Sequence, residues 1–336
     1  MALRTDKAVE IFSAVALNKM KETEVEVAEA REAIKELAAN PTPNNRYEIG
    51  QLVGFTVNDI LKERVNYLND IADTKTVAIG EKAMFTTKLD GIEAFIQAKG
   101  STTQRSKVFQ KESTLDTIAV STRPYINFLD LASGKVNFDE IVSEAAYKME
   151  IKMMQYIEDV FYAAFITAGT YSSPNYASGS GVIKTTIDPQ IVAFQRFGAV
   201  SLLGDISVIS KLSVLTGFVQ TGTTYQHDPA IINEHNRNGF IGIYNACNVA
   251  KLVNPFEEGS LSTTILRNGL IYILPSGMKE MRPLKVVIEG SVSPMDQTNI
   301  DDRSFELRLD QHFGAGLVIG SRAYMGLYRD EALTTA

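Results

Sequence analysis

The chain has 336 residues, 45% of them hydrophobic and 22% charged, with a formal net charge of −7. That balance is globular, with length for two domains or one large one, and it excludes bulk disorder, a collagen-like repeat and a disulfide scaffold, since Cys247 is the only cysteine. Net acidity also argues against a surface that grips nucleic acid as a whole.

At the N-terminus Val9, Phe12, Ala16, Met20, Val27, Ala30, Ile34 and Leu37 keep helical spacing with no Pro or Gly between them, which predicts one helix over 6–39. Such a helix would span about 50 Å. Its apolar patch at 11–17 follows Asp6 and Glu10, so the basic flank of a signal peptide is missing and a cytosolic helix face is expected. The Glu-rich second half predicts a solvated or partner-binding surface. Asn40-Pro-Thr-Pro-Asn-Asn45 breaks the pattern, and a second helix is predicted over about 55–71.

Strand-like runs follow at Ala83–Leu89, Ile92–Ala98, Lys107–Lys111 and Thr117–Thr122, with hairpin-type turns at Asp90-Gly91 and Lys99-Gly100. Between residues 99 and 111 stand Lys99, Arg105, Lys107 and Lys111 and no acid. This run reads either as a solvated loop or as a projecting β-loop that lies on an acidic neighbour, and these four residues are the candidates for that contact. A long amphipathic helix is predicted over 137–168, opened by Asn137 with Glu140 three residues on, and carrying an i,i+4 pair at Glu144 and Lys148. Its methionines, 149, 153 and 154, read as adaptable core packing.

Residues 169–186 are rich in Gly, Ser and Asn and read as a linker. From 187 to about 285 the pattern is mixed: a helix over Gln190–Val200, buried strands at Ile206–Ser210 and Leu270–Leu274, and a short helix or loop at Pro229–Asn238. Strands return at Lys285–Glu289, Ser304–Leu309, Gly316–Ser321 and Tyr324–Tyr328, with Phe313-Gly-Ala-Gly316 read as a strand-to-strand turn.

The sequence offers little catalytic chemistry. Gly134-Lys135 is not a phosphate loop, because Leu129 and Val136 stand where glycine and a hydroxyl residue are needed. In Gly179-Ser180-Gly181 the glycines sit one residue from the serine, too close for a nucleophile elbow. The stretch 296–302 lacks the glycine of a calcium loop. His227 and His235, with Asp228 and Glu234 beside them, match no ligand spacing, and no metal or cofactor is expected. Cys247 lies in an apolar run and reads as a small buried hydrophobe. The uncharged stretch 160–183 loses its apolar character halfway, too soon for a membrane span.

Three passages, in order, carry a resemblance. Val108–Thr122 is similar to the passage from extended loop to body strand in the major capsid proteins of tailed bacteriophages, the Hong Kong 97-type fold. The helix from Phe138, with Ile157-Glu158-Asp159-Val160-Phe161 and its end at Gly169, resembles that family's spine helix, and Gly181-Val182-Ile183 resembles the passage into its axial domain. Gly239–Val249 resembles a strand near the end of that insert. The likeness covers about residues 76–330.

The resemblance implies an α+β fold divided into an N-terminal arm (1–75), an extended β-loop (76–119), a peripheral domain (120–184) with its spine helix at 137–168, an axial domain (185–285), and returning strands of the peripheral domain with the C-terminus (286–336). It implies a non-enzymatic shell protein that associates with itself in hexamers and pentamers around double-stranded DNA. Portal, scaffold and decoration proteins would be further partners; no membrane is involved, and assembly would take place in the host cytoplasm. The apolar stripe of the arm would be covered by neighbouring subunits. A removable N-terminal segment is not expected. An encapsulin-type compartment of the same fold is the nearest alternative, and a cytosolic two-domain α/β enzyme a more distant one.

Overall fold

The computed structural model describes residues 5–17, 19, 24–88, 110–167, 171, 173–215, 220–221, 224–225, 229–252, 254–276, 282–298, 304–318 and 324–333. The N-terminal third is helical. α1 (Thr5–Ala16) and α2 (Glu24–Ala39) replace the single helix expected over 6–39. No Pro or Gly marks the break; packing does. Ile11 and Phe12 on α1, and Val27, Ala30 and Ile34 on α2, enter the same core, and one straight rod cannot press both stripes onto it. The stripe is therefore buried within its own subunit, not left for a neighbour to cover.

α3 (Pro43–Arg64) starts well before the expected residue 55. The segment read as a breaker is also a start signal: Pro43 takes the first turn, and the Thr42 hydroxyl accepts a hydrogen bond from the Asn45 amide at 3.3 Å. Gly54 lets α3 approach a later strand closely, since a Cβ there would lie 2.8 Å from Pro294. A 3-10 turn (Val65–Tyr67) and the short α4 (Leu68–Ile71) lead into β1 (Asp73–Val77).

β2 (Met84–Lys88) and β3 (Gln110–Thr114) form an antiparallel hairpin stem, and β4 (Ile118–Thr122), β5 (Tyr125–Asn127) and α5 (Phe128–Ala132) follow. The expected strand at 92–98 lies outside the described residues. The long helix is present as α6 (Phe138–Tyr162), extended by a π-helical turn over Ala163–Thr167. Val142, Met149, Met153, Ile157 and Phe161 form its buried face, and the Glu144–Lys148 pair is made at 3.4 Å. Asn137 makes no side-chain cap; its amide instead donates to Glu140 at 2.9 Å.

The linker expected over 169–186 contains β6 (Tyr176–Gly179) and the start of α7 (Lys184–Gln195), which ends before the expected Val200. β7 (Val200–Asp205) precedes α8 (Ile206–Leu215), so the strand expected at 206–210 is a helix. Two facts decide this. The Asp205 carboxylate accepts from the Ser207 amide at 2.8 Å, a helix-starting bond, and Val208, Ile209 and Leu212 bury one helical face. The minimal strands β8 (Gln220–Thr221) and β9 (Thr224–Tyr225) pair with each other, and α9 (Pro229–Asn238) is helical. β10 (Ile243–Tyr244), β11 (Cys247–Leu252) and β12 (Leu270–Pro275) follow.

β13 (Leu284–Thr298) and β14 (Ser304–Leu317) are much longer than expected, and β15 (Gly326–Asp330) is the last strand. The presumed turn at 313–316 is continuous strand. Its glycine makes room for a crossing chain: a Cβ on Gly314 would lie 2.7 Å from the Asp116 carbonyl. One sheet has the order β1-β13-β14-β4, with β5 also on β14; the other runs β10-β11-β7-β12-β15-β6. α1, α2, α3 and α6 share one core with the first sheet, while α7 and α8 pack a second core against the other sheet. Among the described residues no helix is long and apolar enough to cross a membrane.

Candidate assembly surfaces and their anchors

The root of the β2–β3 hairpin is built into the body. Phe85 is fully buried against Ala83 and Val287, with Val77 and Leu115 beside them. Two ammonium groups flank its ring, Lys75 at 5.0 Å and Lys285 at 5.8 Å from the centroid. Lys285 is itself buried and meets Asp73 at 3.0 Å, in register across the parallel β1–β13 pair. Glu289 receives the Gly80 amide at 2.7 Å and the Thr117 hydroxyl, and these bonds hold its carboxyl below the usual range. A hairpin that would be marginal alone is thereby fixed at its base.

Of the four basic candidates, Lys99, Arg105 and Lys107 lie outside the described residues. Lys111 stands in β3 opposite Thr87, on the stem. The acidic face expected on α2 is present: Glu29, Glu32 and Glu36 are exposed along one side, while Arg31 reaches Asp139 at 2.8 Å and ties α2 to the start of α6.

The C-terminal half of α6 carries a junction that sequence reading missed. The loop between β11 and β12 folds back along the helix. There the Arg267 amide donates to both oxygens of Glu158, at 2.9 and 3.1 Å, and the Tyr272 hydroxyl donates to one of them at 3.4 Å. The Arg267 guanidinium lies 3.6 Å from Glu158 and 2.8 Å from Asp159, and stacks over Tyr162 at 4.3 Å. The Glu-Asp pair was visible in the sequence; its partner, more than a hundred residues later, carried no local signal.

Burial raises the Glu158 carboxyl from its ordinary 4.5 to about 7, against the pull of the Arg267 bonds. A raised folded-state value means that the folded chain holds the proton more tightly than the unfolded chain. The resulting stability is complete below pH 4.5 and is lost as pH rises through 7, a change of about 3 kcal/mol. Thermal melts of unassembled subunits between pH 5 and 8 are therefore expected to fall steadily for the native chain and to be flatter for Glu158→Gln. Parallel curves would contradict this.

Cys247 is fully buried, receives the Gln195 amide at 3.2 Å, and has its thiol pushed up by burial, which disfavours the reactive thiolate. His235 stands in α9 and His312 in β14, whereas His227 lies outside the described residues. Among the described residues no three His, Cys, Asp or Glu side chains gather as metal ligands.

Comparison with known proteins agrees with this architecture. The family described as "SPbeta prophage-derived putative capsid protein YonB" matches residues 2–329. No curated protein matches the chain. Among solved structures, the chain is similar to one in the procapsid of satellite phage P4 that includes the size determination (Sid) protein: TM-score 0.50, 10% identity, 82% of this chain and 90% of that one covered. It is equally similar to a chain of Microbacterium phage Oxtober96, with TM-score 0.50, 10% identity, and 76% and 89% covered. At such identities the likeness speaks to the fold, which is of the Hong Kong 97 type. With nearly the whole chain matched, the protein belongs to the SPbeta prophage-derived YonB capsid family and is a structural, non-enzymatic component of a phage or prophage virion shell.

Proposed function

We propose that the subunit assembles into hexameric and pentameric capsomers around double-stranded DNA, and that residues 99–111 of each subunit lie on an acidic face of the next. The observation that supports this most is the rigid root of the β2–β3 hairpin. Buried Phe85 and the Lys285–Asp73 pair hold a stem that leads to a segment with basic residues and no acid. The exposed glutamates of α2 supply a matching surface. In this reading residues 1–75, 76–119, 120–184, 185–285 and 286–336 are an arm packed on its own subunit, the extended loop, the peripheral domain, the axial domain and the returning strands, with the axial domain at the capsomer centres and β15 paired into the sheet of β7 and β12. Contact with packaged DNA is weak, in keeping with the net charge of −7. Portal, scaffold and decoration proteins are the other partners.

The test reverses two charges. Lys107→Glu with Lys111→Glu is expected to leave subunit melting unchanged while abolishing closed particles in sedimentation velocity and electron microscopy. Normal shells from this double variant would rule out the loop contact.

A further inference from the structure

The loop between β11 and β12 has a firm base. The Asn254 side chain donates to the Leu266 carbonyl at 3.0 Å and accepts from the Leu266 amide at 2.8 Å, and Phe256 bridges to Thr264. At the tip the Ser260 hydroxyl accepts the amides of Ser262 and Thr263 at 3.2 and 2.9 Å. This turn presents Leu261, which is 90% exposed. A solitary exposed leucine is ordinary. One held out on a pre-formed turn, with the side-chain freedom of its support already restricted, is suited to insertion.

The base of the same loop forms one wall of a cleft of about 520 Å³. Ile151 and Met154 of α6, Leu203 of β7 and Leu266 make it mostly apolar; Arg64 and Glu150, paired with each other at 3.0 Å, and the exposed Lys251 also line it. The loop bears exposed Glu257 and Glu258, the latter reaching Lys148. An acidic turn with an apolar tip thus complements a mostly apolar cleft that carries an exposed lysine. Both lie on one subunit, at the tip and the base of a single loop.

We propose that Leu261 of one copy inserts into this cleft on a second copy, with Glu257 facing that copy's Lys251. Around a ring of subunits each copy then offers its tip to the next copy's cleft, a head-to-tail contact that closes with the ring. The proposal rests on the subunit being a shell protein and adds a specific contact to that role.

The test co-assembles two single-cysteine additions, Leu261→Cys in one chain and Ala250→Cys, an exposed position lining the cleft, in the other. Oxidised particles are expected to give disulfide-linked dimers on non-reducing gels, and unassembled mixtures none. Leu261→Asp, which changes a solvent-facing side chain, is expected to fold normally and to raise the subunit concentration needed for assembly by about tenfold or more. Native particles that form while the cysteine pair stays unlinked would overturn this contact alone, as would unchanged assembly of the Leu261→Asp variant. Failure of the native chain to form any particle would overturn the shell role as well.

Discussion

Phe12→Ala is expected to destabilise the unassembled subunit by about 3–5 kcal/mol, the usual range for emptying a buried aromatic site. Phe12 is fully buried, its ring centroid lies 4.9 Å from that of Phe138, and α1 packs against both α3 and α6. Truncation removes the favourable burial of the ring and leaves a hole among helices that cannot all close in. The check is urea denaturation of unassembled subunits, comparing midpoints at constant slope. If α1 were an arm awaiting a neighbour, the midpoint would not move and only assembly would suffer. The measurement thus separates a core helix from an assembly arm.

The second large effect concerns the pair beneath the hairpin. Asp73→Ala leaves the fully buried Lys285 ammonium without its carboxylate and is expected to cost about 3–5 kcal/mol. Adding Lys285→Met should recover most of that loss, because two buried charges are then replaced by apolar groups and none is stranded. The double-mutant cycle is read from the same urea curves. Loss in Asp73→Ala with no recovery in the double variant would mean that the ammonium also holds something else in place. The neighbouring Phe85 ring, 5.8 Å from Lys285, is the group to examine in that case.

These two sites differ in how legible they were. The apolar spacing of α1 was plain in the sequence, but the same spacing serves an arm laid on a neighbour and a helix laid on its own subunit. Only the position of α3 and α6 chooses between them. Lys285 and Asp73 are 212 residues apart, and neither residue type nor spacing announces that the first would be sealed beneath a hairpin. The segment 206–215 shows the same limit at short range. An apolar run of that length suits a strand or a buried helix, and the Asp205 cap with burial of Val208, Ile209 and Leu212 settles it as helix.

The sequence by itself determined the long amphipathic helix, the existence of strands near 84–88 and in the last fifty residues, and the absence of any local catalytic motif. It did so because each rests on periodicity or turn chemistry within a few residues. That β2 pairs with β3, with twenty-one residues between them, it did not determine. Tertiary structure alone decided where the N-terminal helix breaks, that Gly314 lies within a strand under a crossing chain, that β15 joins the sheet of β7 and β12, and that Arg267 meets Glu158. Each of these depends on chain segments far apart in sequence, whose packing overrides weak local preference and whose identity no local window contains.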